Sequence, residues 1–226
     1  RCLKTAVDWG LIKEIPKIKL LKVPPQPFDF LTEEETQQIL NHAEGIWYDM
    51  ILLAVRTGLR FGEIIALRGK DINLGAGILT VNRSIVREIE GSPKNNRSRT
   101  IPLTHTVLDM LSKRVKNNDR IFASESGETL HYDYCCKKLR RICQKAGLRV
   151  ISWHKFRHSF ASHLAARNIS IVAIKELLGH SDIKTTMRYA HVNLPVLQKA
   201  IRALESDVTI VSQSKISKEV PAIIFR

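Results

Sequence analysis

Ile151–His191 reads ISWHKFRHSFASHLAARNISIVAIKELLGHSDIKTTMRYAH. His154 and Arg157 are three residues apart, so on a helix running from His154 to Arg167 they share one face. Phe156, Phe160, Leu164 and Ala165 are left for packing. Ser170 is placed to cap the next helix and Gly179 to end it. His180 follows at once, and Ser181 or Asp182 starts a helix bearing Thr185, Thr186, Met187, Arg188 and Tyr189. Helix, turn, helix, turn, helix is therefore expected, with His154, Arg157, His180 and Tyr189 able to return to one pocket.

One tyrosine among histidines and arginines is what phosphoryl transfer to a phenol requires. A phenol with a pKa of about 10 attacks poorly at neutral pH, and a phosphodiester under attack builds up charge that fixed donors must meet. Arginine suits that task because its guanidinium stays charged and forms paired hydrogen bonds to phosphate oxygens.

HKFRHSFASHL at 154–164, followed by LLGHSDIKTTMRYAH at 177–191, resembles the two C-terminal boxes of the tyrosine recombinases, or phage integrases. Upstream, TGLRFGE at 57–63 resembles that family's first arginine box, and PKNNRSRTIPL at 93–103 its lysine-bearing hairpin. The resemblance implies a catalytic domain that is mainly α with a small antiparallel β-sheet. It implies Arg60, Lys94, His154, Arg157, His180 and Tyr189 as catalytic residues, with Glu63 supporting Arg60 and His158 packed behind the site. Tyr189 would attack a DNA phosphodiester to give a 3′-phosphotyrosyl link and a free 5′ hydroxyl. Arg60 and Arg157, helped by His154 and His180, would hold the nonbridging oxygens, and Lys94 would protonate the leaving oxygen. The arginines and lysine would carry the charge stabilisation, so no metal is implied, and the covalent link conserves the bond energy, so no cofactor is implied. Two departures stand out. Pro93 replaces the usual threonine of the hairpin, and Lys155 takes a position usually held by aspartate, where an added DNA contact is expected.

The rest of the chain agrees with this. Lys+Arg of 36 against Asp+Glu of 22 gives a net charge of +14, a phosphate-backbone footprint in combination with the arginine and histidine pattern. The 44% hydrophobic content excludes general disorder. Cys2, Cys135, Cys136 and Cys143 contain no CxxC pair, so neither a disulfide framework nor a zinc site is suggested. The i,i+4 pair His154 and His158 lacks the acidic partner of HExxH. There is no GxSxG and no recognisable nucleophilic cysteine. With no apolar run long enough for a membrane span and no signal peptide, a cytoplasmic, nucleoid-associated protein is expected.

Three regions are anticipated. Residues 1–27, with Pro16, Pro24, Pro25 and Pro27, read as the end of a core-binding domain and an interdomain linker, and Arg1 in place of Met suggests a fragment of a longer protein. Residues 28–205 form the catalytic domain, opening with a capping box of Thr32 and Glu35. Residues 206–226 form a tail with two apolar runs, Val208–Val211 and Ala222–Phe225, strands or docking segments for a neighbouring protomer. Within the domain, a core helix spans Ile46–Arg56 and closes on Gly58, which puts Arg60 at the start of the next helix. Alternation from Gly77 to Leu103 predicts strands, with REIEGSPKNNRSR at 87–99 as a single hairpin tip. Thr106–Lys116 is an amphipathic helix. HYDYCCKKLRRICQKAG at 131–147 is a basic one whose Lys137, Lys138, Arg140 and Arg141 are candidate DNA contacts. The partners implied are double-stranded DNA, a homotetramer assembled on it, and accessory directionality proteins. Two alternatives remain open: a noncatalytic DNA-binding module derived from an integrase, and a type IB topoisomerase acting as a monomer.

Overall fold

A computed structural model describes residues 2–16, 29–93, 98–115, 119–124 and 126–190. Lys94, most of the expected linker and the whole C-terminal tail therefore lie outside the described residues. The N-terminal helix α1, Cys2–Asp8, buries none of its residues.

The folded body begins at Asp29. Thr32 accepts the Glu35 amide proton at 3.1 Å, while the Glu35 carboxylate accepts from the Thr32 amide at 2.9 Å. That reciprocal box starts α2, Glu33–Asn41. Helix α3, Gly45–Thr57, is the apolar centre: Met50, Ile51, Leu53 and Ala54 are wholly buried. It ends on Gly58, whose φ of +65° is a left-handed cap. After one turn of chain, α4, Phe61–Ala66, leads through a 3-10 turn into the sheet.

Strands β1 (Ile72–Asn73), β2 (Ile78–Val81) and β5 (Arg99–Pro102) form an antiparallel sheet in the order β1-β2-β5. Leu79 pairs with Ile72 on one side and Ile101 on the other, and these side chains face the core. The single hairpin expected over 87–99 is not what forms. The chain turns at Arg87 and Glu88, both at positive φ (49° and 67°), so that β3 (Ser84–Val86) pairs with β4 (Ile89–Gly91) in a separate two-stranded ribbon. A two-residue loop with both residues left-handed matches strand twist. Its usual Asn-Gly signature is absent here, and β4 is exposed along its length, so no alternation announces it. Glu90 of β4 is the ribbon's ionic anchor, accepting from Arg68 at 3.0 and 3.1 Å and from Arg120 at 2.8 Å, with Arg83 nearby.

Helix α5, His105–Ser112, stops short of the expected Lys116. Helix α6, Tyr132–Lys145, buries Cys135, Leu139, Ile142 and Cys143 at helical spacing. Burial pushes the Cys135 thiol up to about 12, so it behaves as a packing residue. Helix α7, Trp153–Ala166, lies against α3 and carries the α8/α9 pair, Ile171–Leu178 and Ile183–Met187. It also staples the start of the domain: the buried Ser159 Oγ accepts from the Leu31 amide at 2.8 Å, and His163 Nε2 lies 2.8 Å from the Leu31 carbonyl.

Gly62 shows how closely α4 meets the ribbon, since a Cβ there would sit 2.3 Å from the Ile85 carbonyl oxygen. Ordinarily Gly→Ala inside a helix stabilises by about 0.5–1 kcal/mol. A backbone contact cannot swing away, and overpacking costs about 1–3 kcal/mol, so Gly62→Ala is expected to lower the urea midpoint rather than raise it.

Candidate active site

Arg60 is the N-cap of α4, and its position there is set by Glu63. The buried Glu63 carboxylate accepts from the Arg60 amide at 2.9 Å and from Arg60 Nη1 at 2.9 Å. It also takes the fork of Arg99, with Nη2 at 2.7 Å and Nη1 at 3.1 Å. Burial alone would raise the Glu63 pKa, but the hydrogen bonds and charge of Arg99, then those of Arg60, hold it below the ordinary range. Glu63 is thus an ionised carboxylate under Arg60.

Arg157, on α7, is 1% exposed. Its Nη1 donates to the Gly58 carbonyl at 2.8 Å and its Nη2 to the Leu178 carbonyl at 2.5 Å. Desolvation, and then the neighbouring charge of Arg60, lowers its pKa to about 9, so the guanidinium remains cationic at neutral pH. Two residues after Leu178 comes His180, past the left-handed Gly179 cap. Its Nδ1 lies 2.8 Å from Thr186 Oγ1. Burial, with Arg157, Arg60 and Arg99 adding repulsion, lowers its pKa to about 4.

Tyr189 was expected on a helix. Helix α9 ends at Met187, and Tyr189 sits in the turn beyond it, its amide bonded to the Thr186 carbonyl at 2.9 Å. The turn aims the ring inward, leaving it 2% exposed. His158 Nδ1 is 2.7 Å from the Tyr189 hydroxyl. Burial, then the charge of His154, lowers the His158 pKa to about 4, so at neutral pH its ring is uncharged. His154, exposed at the start of α7, lies edge-on to His158 with ring centroids 4.5 Å apart. Desolvation raises the phenol's pKa, opposed by the charges of Arg157 and Arg188.

The described structure thus brings Arg60, Arg157, His180, His154, His158 and Tyr189 together. Lys94 lies outside the described residues. Lys155 is not turned outward as a free DNA contact: its Nζ is 2.7 Å from an Asp29 carboxylate oxygen and 3.1 Å from the Asp29 carbonyl. Its partner lies in the segment that α7 staples, where Arg149 also bridges Asp29 and Glu35. On α6, Lys137, Arg140 and Arg141 are exposed, whereas Lys138 is half-buried over the rings of Trp47 and Tyr134. Two residues escaped the sequence reading. Arg99 sits within the hairpin motif but has no local partner that would mark it, and Thr186 on α9 resembles any helix threonine until His180 is placed against it. Among the described residues, no group of three or more His, Cys, Asp or Glu is arranged to hold a metal ion, and no helix is long and apolar enough to cross a membrane.

The depressed histidines set a pH dependence. In the unfolded chain His158 and His180 bind protons at their ordinary pKa of 6.5, and in the fold only near 4. Between those values the unfolded state holds more protons, so stability is complete above pH 6.5 and falls as pH drops toward 4. Urea titrations across that window should show this slope, and His158→Asn with His180→Asn should flatten it.

The phage integrase family model matches residues 29–194. Tyrosine recombinase XerA of Pyrococcus furiosus is 32% identical over 205 residues, covering 85% of this chain and 67% of that protein. Tyrosine recombinase XerD of Oceanobacillus iheyensis is 31% identical over 205 residues, covering 83% and 64%. In fold, the chain is similar to the Tn1549 transposon integrase solved in complex with transposon right end DNA, with a TM-score of 0.76, 22% identity, and 89% and 75% of the two chains covered. The matched region begins where the folded body begins and takes in both arginines, the paired histidines of α7, His180 and Tyr189, and on that evidence the chain belongs to the phage integrase family, the tyrosine recombinases.

Proposed function

We propose that this chain is a site-specific DNA recombinase in which Tyr189 attacks a backbone phosphate, leaving a 3′-phosphotyrosyl link and a free 5′ hydroxyl. The observation that carries this reading is the convergence of one phenol, two guanidiniums and neutral imidazoles that feel each other's charge. Arg60, the more exposed of the two arginines, meets a nonbridging oxygen. Arg157 supplies fixed positive charge from behind, which Tyr189 and His180 both register. With its proton on Nε2, His158 offers Nδ1 as acceptor for the Tyr189 proton at 2.7 Å. Because that imidazole titrates near 4 and the phenol above its ordinary value, transfer before attack is strongly uphill, so the proton leaves as the phosphorus–oxygen bond forms. His154 and His180 donate to the phosphate, and Lys94 protonates the departing 5′ oxygen. A 5′ hydroxyl from another strand then reverses the step, with no external energy source.

On this reading double-stranded DNA lies across the site, with exposed Lys137, Arg140 and Arg141 on the phosphate backbone. Four protomers exchange strands pairwise, accessory proteins set direction, and the protein works in the cytoplasm at the nucleoid. Residues 1–27 complete a core-binding domain and its linker, 28–205 the catalytic domain, and 206–226 dock on a neighbouring protomer. A monomeric type IB topoisomerase would use the same chemistry without paired sites, and a noncatalytic binding module would need none of these groups.

Incubation with supercoiled plasmid at low salt in EDTA, quenched with detergent and followed by peptide mapping, separates these readings. A DNA adduct on Tyr189 is expected, absent in Tyr189→Phe while DNA affinity is nearly unchanged. Arg60→Gln is expected to slow adduct formation by roughly 10²–10³-fold, the loss typical of one oriented donor. Normal-rate cleavage by Arg60→Gln would overturn the site, and a full-length protein forming no adduct would favour the binding module. Relaxation of plasmid without recombination between paired sites would favour the topoisomerase.

A further inference from the structure

Among the described residues, Arg99 is a strongly engaged cation near this site to which the functional reading gives no task. It opens β5 and is only 9% exposed along its side chain. Its three nitrogens are all committed: Nη1 and Nη2 fork onto Glu63 at 3.1 and 2.7 Å, and Nε donates to the Leu177 carbonyl at 2.9 Å. Glu63 holds Arg60 through both its amide and its guanidinium. The Leu177 carbonyl is in the last turn of α8, directly before Leu178, which Arg157 holds, and the Gly179 cap that leads to His180. The Gly179 backbone lies flush against the Arg99 side chain, since a Cβ there would be 2.9 Å from Arg99 Cδ.

We infer that Arg99 is a positioning residue that satisfies Glu63 so that the Arg60 charge remains available to the scissile phosphate, while pinning the α8 turn that presents His180. The inference rests on the proposed reading of Arg60 as a phosphate ligand. The reasoning is one of charge balance. A buried carboxylate demands a counter-ion. With Arg99 present, Glu63 faces two guanidiniums, and the pair carries a surplus positive charge. Without Arg99, Arg60 is the remaining direct ion-pair partner of Glu63, and its guanidinium is drawn further into that pair. A bidentate fork is also directional, so lysine restores the charge but neither the second bond to Glu63 nor the planar Nε–H bond to Leu177.

The test uses the strongest site at which the unsubstituted protein forms its plasmid adduct, rebuilt as a synthetic duplex with either the ordinary scissile phosphodiester or a methylphosphonate. The methyl group removes the nonbridging negative charge, and with it the need for a neutralising arginine. Single-turnover adduct formation by Arg99→Met is expected to be slower on phosphodiester by on the order of 10–100-fold, less than the roughly 10²–10³-fold of a direct donor. On methylphosphonate the ratio to unsubstituted protein should shrink toward unity, and Arg99→Lys should fall between. An equal deficit on both substrates would confine Arg99 to holding the fold, and no deficit would also overturn the proposal. If Arg99→Met does not fold by thermal melting, Arg99→Lys carries the same comparison. Arg60→Gln is the control: if methylphosphonate does not relieve its deficit, the reading of Arg60 fails, and this inference with it, in an outcome distinct from failure of Arg99 alone.

Discussion

A guanidinium with almost no solvent contact holds this domain's active region together. Burying a cation costs several kcal/mol unless polar groups replace its water. Arg157 receives that replacement from the carbonyls of Gly58 and Leu178. Each lies at the C-terminal end of a helix, where unpaired carbonyls and the negative end of the helix dipole favour a cation. Both helices end in a left-handed glycine, Gly58 after α3 and Gly179 after α8. One side chain from α7 thereby ties together two helix ends that are far apart in sequence. The first leads directly to Arg60 and the second directly to His180.

The remaining electrostatics follow from this placement. A cluster holding Arg60, Arg99 and Arg157 repels further cations, and together with burial this keeps His180 uncharged. His158 is kept uncharged by burial and by His154, Arg188, Lys155 and Arg157. Neutral rings can accept or share protons, whereas imidazoliums would add to the repulsion. Glu63 is the single buried carboxylate that lets Arg60 and Arg99 approach one another. The site is therefore an excess of fixed positive charge with one internal counter-ion, the electrostatic shape that suits an anionic reaction centre.

Charge elsewhere is divided between holding the fold and facing outward. Lys155, Arg149 and Arg167 are used on Asp29, Glu33 and Glu35, fastening the first residues of the body to α7 and its neighbours. Arg68 and Arg120 are used on Glu90 to hold the exposed ribbon, and Arg83 is shared between Asp71 and Glu90. The 36 lysines and arginines of the sequence thus overstate the cations free to meet a partner, although internal ion pairs leave the net charge of +14 unchanged. On α6, Lys137, Arg140 and Arg141 face outward, as do Arg56, Lys70, Arg87, Lys113, Lys184 and Arg188 elsewhere, while Lys138 lies over aromatic rings.

Local chemistry was legible without coordinates. The Thr32–Glu35 box, the Gly58 and Gly179 caps, the Ser170 and Asp182 starts, the apolar face of α6 and the order of the functional boxes depend on residues a few positions apart, and such interactions are written in sequence spacing. What spacing could not show was pairing across the chain. That Lys155 reaches Asp29, that His158 lies within hydrogen-bond distance of the phenol and that Arg99 forks onto Glu63 depend on neighbours that the backbone brings in from distant elements. The β3–β4 ribbon was hidden for a related reason, because an exposed strand with a charged two-residue turn has no burial pattern to betray it. The sequence alone determined the family, the helix limits to within a few residues and the chemical kinds present. Tertiary structure decided the pairings, because a long charged side chain reaches several ångströms and its partner depends on which backbone lies within that reach.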